Sequence, residues 1–354
     1  MSRKYHPTMA QHQPSETTVL VTGASGFIGL HGVRELLQAG YRVRGTVRSL
    51  SREPTLREAL AKHTETDNFE LVTADLMSDE GWAEAVLGCR YVWHVASPVP
   101  NAPPKHEDDF IVPARDGTLR VLRAASEVGV ERVVLTSSLA AVCLGHPSDT
   151  SRVFNEDDWS RVDANLPAYD KSKTLAERAA WDFIGGLRGG KGLELVAINP
   201  GLVLGPVLEE DYGLSAQAIL KLMRRDVPAC PRLGWSCVDV RDVVAAHLAA
   251  MTTPAAAGHR FCCCVEFLWM KEMAEILNQH FYDRGYRAPT RALPDFAVRF
   301  AGLFDKAIGA AVPRLGHYEN VSNARIKEVL GWQPRSVEEM IIATGESLIE
   351  LGLV

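Results

Sequence analysis

No stretch of this 354-residue sequence approaches the roughly 20 consecutive apolar residues that a membrane-spanning helix needs. Positive charge is not in excess: 38 Lys and Arg stand against 44 Asp and Glu, a net charge of -6 with a sequence pI near 6.0. That balance argues against nucleic acid or an anionic membrane as the main partner. Cysteine is sparse and irregular. The seven (Cys89, Cys143, Cys230, Cys237, Cys262, Cys263 and Cys264) are odd in number and unevenly spaced, so they do not read as a disulfide framework. A reducing cytoplasm is the expected setting. The run Cys262 to Cys264 near His259 invites a metal reading, but consecutive strand residues alternate faces and cannot converge on one ion. No metal is expected. Residues Met1 to Glu16 are polar, rich in His, Gln and Ser, and lack the apolar middle of a secretory signal. They read as a disordered lead-in.

What is present is an ordinary globular composition, 46% hydrophobic and 23% charged, in a chain long enough for a large α/β domain with an appended lobe. Short apolar runs predict strands at Thr18–Thr22, Arg42–Val47, Phe69–Thr73, Tyr91–Val95, Arg132–Thr136 and Leu193–Ile198. Amphipathic helices alternate with them at Phe27–Ala39, Thr55–Lys62, Asp79–Leu87, Phe110–Val128 and Pro167–Ile184. This rhythm implies a doubly wound, mostly parallel α/β sheet with right-handed crossovers. After Ile198 it weakens, giving a Pro/Gly-rich turn, a helix near Leu214–Arg224, a strand and helix near Cys237–Met251, a strand at Arg260–Val265 and a largely helical tail. The expected division is a nucleotide-binding domain over 17–200, rejoined by 236–265, and a smaller substrate lobe from 201–235 and 266–354. No internal repeat is evident.

The first strand runs into Thr22-Gly23-Ala24-Ser25-Gly26-Phe27-Ile28-Gly29 and then a helix. Gly23 permits a tight turn, Gly26 lets backbone approach a pyrophosphate, and Gly29 lets helix and strand pack closely. The helix start offers free N–H groups and a positive dipole end to phosphates. The spacing is GxxGxxG rather than the commoner GxGxxG, yet the strand-turn-helix context is that of a dinucleotide site. The second strand ends Gly45-Thr46-Val47-Arg48-Ser49, with no carboxylate to accept from a ribose 2′-OH. Arg48 can instead hold a 2′-phosphate through paired hydrogen bonds, so NADPH/NADP+ is the expected cofactor. Arg52 is a second basic candidate, although an exposed loop arginine is usually just solvated.

Tyr169-Asp170-Lys171-Ser172-Lys173 opens a helix after Asn165 and Pro167. Tyr169 and Lys173 are four apart and share a face, which Ala176 and Ala180 continue with small side chains. A free phenol has a pKa near 10 and exchanges protons poorly at neutral pH, and a nearby ammonium is expected to lower it. Thr136-Ser137-Ser138 ends a parallel strand, where a hydroxyl faces the ligand crevice and can steady a developing alkoxide. Ser138 is favoured over Ser137, because the two point in different directions.

Taken in order, these motifs resemble the extended short-chain dehydrogenases/reductases, in the dihydroflavonol-4-reductase-like branch that includes plant flavonoid reductases and microbial aldehyde and ketone reductases. The resemblance is carried by the glycine turn, Thr46-Val47-Arg48, Ala74-Asp75-Leu76, His94-Val95-Ala96-Ser97-Pro98, Leu135 to Ser138, Tyr169 to Lys173, Asn199 to Pro206 and Val238 to Val243. It spans residues 18 to about 265, and Leu330-Gly331-Trp332 extends it. It implies a Rossmann-like fold with Arg48 on the 2′-phosphate, Asp75 and Leu76 flanking the adenine, and Val95, Ala96 and Ser97 along the ribose and phosphates. Pro200 and Val203 would contact the nicotinamide, and Ser138, Tyr169 and Lys173 would be the catalytic trio.

The expected activity is reduction of an aldehyde or ketone by NADPH. The expected pocket uses Pro98–Pro104, Leu139–Leu144 and 204–223, with Pro206, Leu208, Tyr212 and Leu220 as apolar lining, which suits a hydrophobic or flavonoid-like substrate. Three other readings share parts of this pattern: a nucleotide-sugar epimerase or dehydratase, a hydroxysteroid or cinnamoyl-CoA type reductase, and a non-catalytic NADP-sensing regulator. Leu139-Ala140-Ala141 stands where related dehydratases place an Asp-Glu pair, and the NWYCYGK signature of cinnamoyl-CoA reductases is absent around Tyr169. Both a monomer and a homodimer are compatible with this composition.

Overall fold

The computed structural model describes residues 13–98, 106–147, 149–187, 192–210 and 213–354. In chain order the first half contains β1 (Thr18–Thr22), α1 (Phe27–Gln38), β2 (Arg42–Val47), α2 (Glu53–Ala61), β3 (Phe69–Thr73), α3 (Trp82–Val86), β4 (Tyr91–His94), α4 (Asp108–Val128), β5 (Arg132–Thr136), α5 (Ala168–Gly186) and β6 (Glu194–Pro200). The second half contains β7 (Leu202–Leu204), α6 (Gly213–Arg224), β8 (Cys230–Pro231), β9 (Gly234–Asp239), α7 (Val240–Thr252), β10 (Arg260–Cys263), β11 (Glu266–Trp269), α8 (Met270–Phe281), β12 (Ala292–Leu293), α9 (Asp295–Ala301), α10 (Lys306–Ala311), α11 (Ala324–Leu330) and α12 (Val337–Glu350).

The expected parallel sheet is present. Its strand order is β10-β6-β5-β4-β1-β2-β3, and every pairing in it is parallel. Strand order reverses between β1 and β4, where Thr22 lies opposite His94, and a ligand crevice opens at the carboxyl ends there. Strand residues alternate between two cores. Val19, Val21, Trp93, Val134 and Val196 pack on the α1 and α7 side against Leu30, Val33, Val243 and Val244. Leu20, Val92, Val133 and Leu195 pack on the other side against Val121, Leu122 and Ala125 of α4 and Ala180 of α5. Burial on both faces explains why these strands read as continuous apolar runs. The cysteine run obeys the same alternation: Cys262 and Cys264 share a cluster with Cys143 and Phe154, while Cys263 joins the opposite core.

One expectation needs correction. The lead-in does not extend through Glu16. Residues 1–12 lie outside the described ones, but Pro14–Glu16 form a 3-10 turn, with Pro14 supplying a preset φ at its start. Thr17 locks that turn by donating from N to Pro14 O and from Oγ1 to Gln13 O. Within 236–265, β10 joins the edge of the main sheet and α7 packs in its core beside α1, while β9 pairs in parallel with β7 and antiparallel with β11 in a separate three-stranded sheet. Gly201 makes the departure possible, since a Cβ there would lie 1.9 Å from Ser236 O.

A second core unites α6, α8 and α12 through Ile219, Met223, Met273, Leu277, Phe281, Met340 and Ile341. Thr344 and Ser347 of α12 accept from the backbone N of Gly205 and Val207, at 2.7 and 2.8 Å, and pin the segment after β7 over the crevice. Among the described residues, no helix is long and apolar enough to cross a membrane.

Candidate active site

The crevice is a cleft of about 700 Å³. Gly23, Ser25, Gly26, Phe27, Ile28 and Gly29 line it from the β1–α1 turn, Thr46, Val47 and Arg48 from the end of β2, and Ala74, Asp75, Leu76 and Met77 from the end of β3. Val95, Ala96, Ser97 and Pro98 follow β4, Asp109 and Pro113 come from α4, and Val203 from β7. Thirteen of the residues expected to hold the cofactor are thus brought together: Gly23, Ser25, Gly26, Phe27, Ile28, Gly29, Arg48, Asp75, Leu76, Val95, Ala96, Ser97 and Val203.

Hydrogen bonds set the walls. Gly23 has φ 67°, which a residue with a side chain rarely adopts, and its N donates to Thr46 Oγ1 at 3.1 Å. Thr22 Oγ1 accepts from the N of Val95 and Ala96 at 3.1 and 3.0 Å, and lies 2.9 Å from His94 Nδ1. One hydroxyl thereby joins the glycine turn to the opposite wall. Helix α1 begins at Gly26 with no side chain capping it, so its first N–H groups are left for a ligand. A Cβ on Gly29 would meet Gly23 O at 2.1 Å, which explains the need for glycine where helix crosses strand. Arg48 is exposed at the far end and has no ion pair among the described residues. These features fit a dinucleotide carrying an extra phosphate at its adenosine end. Arg52 is not a solvated loop arginine: it pairs with Glu209 at 2.7 Å, tying the segment after β2 to the segment after β7.

The catalytic candidates adjoin the cleft rather than line it. Tyr169 and Lys173 project from the first turns of α5, with Lys173 Nζ 5.8 Å from the centroid of the Tyr169 ring. The Tyr169 ring packs edge-on against Phe110 of α4, the helix that also supplies Asp109 and Pro113 to the cleft. Lys173 is placed toward the end of β4, where its charge acts on buried His94. Ser138 is half-buried and its Oγ accepts from Ala140 N at 3.1 Å, whereas Ser137 is buried and donates to Glu177 at 2.5 Å. Ser137 is thus committed to Glu177, while the Ser138 hydroxyl keeps its proton free to donate. Pro200 is buried at the end of β6 beside Cys263, outside the cleft lining.

The electrostatics differ from the simple expectation. Tyr169 is 38% exposed, yet the protein packed around it pushes its pKa up to about 12, with the Asp170 carboxylate adding to the rise. The cation opposing that rise is Arg314, from the C-terminal lobe. Burial brings Lys173 down to about 8, with Glu177 opposing. Desolvation of the phenolate, with the Asp170 charge, thus outweighs the opposing Arg314 at this site.

Residues 19–264 match the model of the NAD dependent epimerase/dehydratase family. The chain belongs to that family. It is 35% identical over 341 residues to cinnamoyl-CoA reductase 1 of Petunia hybrida, covering 96% of this chain and 94% of that one. It is 32% identical to tetraketide alpha-pyrone reductase 1 of Arabidopsis thaliana, over 94% and 96% of the two chains. The fold is similar to yeast methylglyoxal/isovaleraldehyde reductase Gre2, solved with NADPH, at a TM-score of 0.79 and 29% identity over 96% of this chain and 100% of that one. These relatives agree with the reductase branch that the motifs resemble.

Other parts of the sequence reading change in this family member. Leu139–Leu144 do not line an open pocket: Leu139, Ala140, Val142, Cys143 and Leu144 are core residues. Leu220 is buried in the α6–α8–α12 core. Apolar composition is shared by cores and pocket linings, so it did not separate them. Leu208 lines a small cavity with Phe27 and His31, and Pro206 accepts from His31 Nε2 at 2.8 Å through its carbonyl. Tyr212 and residues 99–104 lie outside the described residues. The reading missed Thr46, Val47, Ala74 and Met77, which the rule that ligands sit at strand carboxyl ends would have found. Asp109, Pro113, Gly213 and Ser215 carry no such local signal.

Proposed function

We propose that this chain is an NADPH-dependent reductase that converts a hydrophobic aldehyde or ketone, of aromatic or flavonoid-like kind, to its alcohol. The observation that carries the reading is the placement of Tyr169 and Lys173 on one face of α5 beside a dinucleotide-sized cleft. NADPH, when bound, supplies the hydride from C4 of its nicotinamide. Arg48 holds the 2′-phosphate, and the uncapped start of α1 faces the pyrophosphate. Asp75 and Leu76 flank the adenine, Val95, Ala96 and Ser97 run along the ribose and phosphates, and Val203 bounds the nicotinamide side.

Ser138 Oγ positions the substrate oxygen, and Tyr169 donates its phenolic proton to it. At about 12 the phenol keeps its proton at neutral pH but is a weaker acid than a free tyrosine, so transfer depends on nearby positive charge. Lys173 supplies the positive charge that favours the phenolate after transfer and also binds ribose hydroxyls. Dehydration is disfavoured because Ser138 is followed by the buried apolar turn Leu139–Ala141, with no acid-base pair there.

The test is loss of reduced-nicotinamide absorbance in purified protein, with NADPH and NADH compared across aryl and alkyl carbonyls. Turnover of hydrophobic carbonyls with NADPH in preference to NADH is expected. NADPH binding without turnover across a broad panel would favour the non-catalytic sensor instead.

A further inference from the structure

Glu177 is a buried carboxylate one helical turn beyond Lys173 on α5. Its Oε2 accepts from Ser137 Oγ at 2.5 Å and Asn199 Nδ2 at 2.6 Å, and its Oε1 accepts from Arg260 Nε at 2.5 Å and Trp181 Nε1 at 3.2 Å. Arg260 comes from β10, at the edge of the main sheet. Its guanidinium also donates to the carbonyls of Glu156, Asp158 and Ala141 and lies over the Trp159 ring, 3.7 Å from its centroid. The Asn199 amide that serves Glu177 donates in addition to the carbonyl of Ser138, at 3.1 Å. One carboxylate therefore joins the helix bearing Tyr169 and Lys173 to the strand end bearing Ser138.

Stability alone does not explain this arrangement. Desolvating both charges of a buried pair is costly, and well-packed apolar residues of similar volume often do as well or better. A charged group at this point does two things that an apolar residue cannot. It fixes Ser138 against α5 through directional hydrogen bonds, and it places negative charge one helical turn from the Lys173 ammonium. We propose that Glu177, anchored by Arg260 and Asn199, is a positioning residue that holds the Ser138 strand end in register with Tyr169 and Lys173. The proposal rests on the catalytic assignment of those three residues.

The charged and titratable groups around this pair are few. Lys173 faces Tyr169 and Glu177 on its own helix and His94 from β4, while Glu177 faces Arg260 and the Cys262 thiol of β10. Burial keeps His94 neutral, with a pKa of about 3, and holds the Cys262 thiol protonated. Glu177 is thus the neighbour that supports the Lys173 charge against burial. Removing its charge moves loss of the Lys173 proton to lower pH.

Glu177→Gln keeps the shape and one accepting oxygen, but its amide nitrogen cannot accept, so the partners of the other oxygen lose their bonds. We expect kcat to fall about tenfold or more, with KM for NADPH changed by less than about twofold. The basic limb of the kcat profile should move down by about one pH unit. Because this variant leaves Arg260 buried without its counter-charge, the double variant E177Q/R260M is made in parallel, removing both charges at once. R260M also leaves the Glu156, Asp158 and Ala141 carbonyls without their donor. Both variants are therefore assayed below their melting temperatures, and kcat still low with the basic limb still displaced is expected. A wild-type kcat and pH profile in either folded variant would overturn the proposal and leave Glu177 a packing residue. Tyr169→Phe is measured alongside. Wild-type turnover in that variant removes the catalytic assignment itself, whereas an inactive Tyr169→Phe with a wild-type profile in E177Q/R260M removes only the role of Glu177.

Discussion

Lys173 Nζ stands 5.8 Å from the centroid of the Tyr169 ring, one turn along the same helix, and burial moves the two groups in opposite directions. The phenol rises to about 12 and the lysine falls to about 8. At neutral pH the phenol keeps the proton it must donate, and the ammonium is still largely charged. As pH rises, the first group to change is Lys173. The account predicts that kcat for reduction, at saturating NADPH, declines as pH passes about 8, long before Tyr169 ionises. A profile of kcat against pH from 6 to about 10 checks this. A rate that stays flat to pH 10 would separate Lys173 from the chemistry.

Arg48 gives a second prediction. Its guanidinium sits at the adenosine end of the cleft without an ion-pair partner among the described residues. Charge-assisted bonds to a phosphate are each worth about 1.5–3 kcal/mol. Arg48→Ala should therefore raise KM for NADPH roughly 10- to 100-fold and leave KM for NADH nearly unchanged. Equal losses with both cofactors would place Arg48 elsewhere than on the 2′-phosphate.

Two glycines of the turn separate folding from binding. A Cβ at Gly29 would lie 2.1 Å from Gly23 O and 2.9 Å from Gly23 C, backbone atoms that cannot swing aside. Gly29→Ala should destabilise the fold by about 1–3 kcal/mol and abolish NADPH binding. At Gly26 the nearest atom to an added Cβ is Gly23 O at 3.5 Å, an ordinary contact. Gly26→Ala should keep its melting temperature and lose affinity, because the methyl occupies space where the pyrophosphate approaches. Melting curves and an NADPH binding titration on both variants distinguish the two effects.

Three buried histidines predict acid sensitivity. Burial, reinforced by Arg34, brings His31 to about 3, and burial with the Lys173 charge brings His94 to about 3. Burial brings His247 to about 4, against a bond to the Val243 carbonyl. Each folded-state value lies below the ordinary 6.5, so the unfolded chain takes up protons first as pH falls. Their contribution is fully present above about pH 6.5 and is lost toward pH 3–4, at roughly 1.4 kcal/mol per pH unit for each histidine. Denaturant unfolding at pH 7, 6 and 5 should show a falling midpoint, and His247→Gln should flatten the slope.

Local patterns carried much of this fold. Thr18–Thr22 and Arg42–Val47 were legible to the residue, because strands covered on both faces write themselves as short apolar runs between helical periods. The glycine turn and the start of α5 were legible for the same reason: each depends on neighbours within a few positions. What sequence could not supply were partners far along the chain. Arg52 and Glu209 are 157 residues apart, and Glu177 and Arg260 are 83 apart, so neither ion pair leaves a local trace. The departure of β9 into its own sheet likewise depends on the contact between Gly201 and Ser236. The rise of the Tyr169 pKa was missed because desolvation is set by the surrounding fold, whereas the i, i+4 lysine is visible in the sequence.

The most direct test of the account is single-turnover oxidation of bound NADPH by Tyr169→Phe protein mixed with a reducible aldehyde. The account predicts a rate lower than wild type by a factor of about 100 or more, with NADPH affinity unchanged in a fluorescence titration. A wild-type rate in that variant would contradict the assignment of Tyr169 as the proton donor.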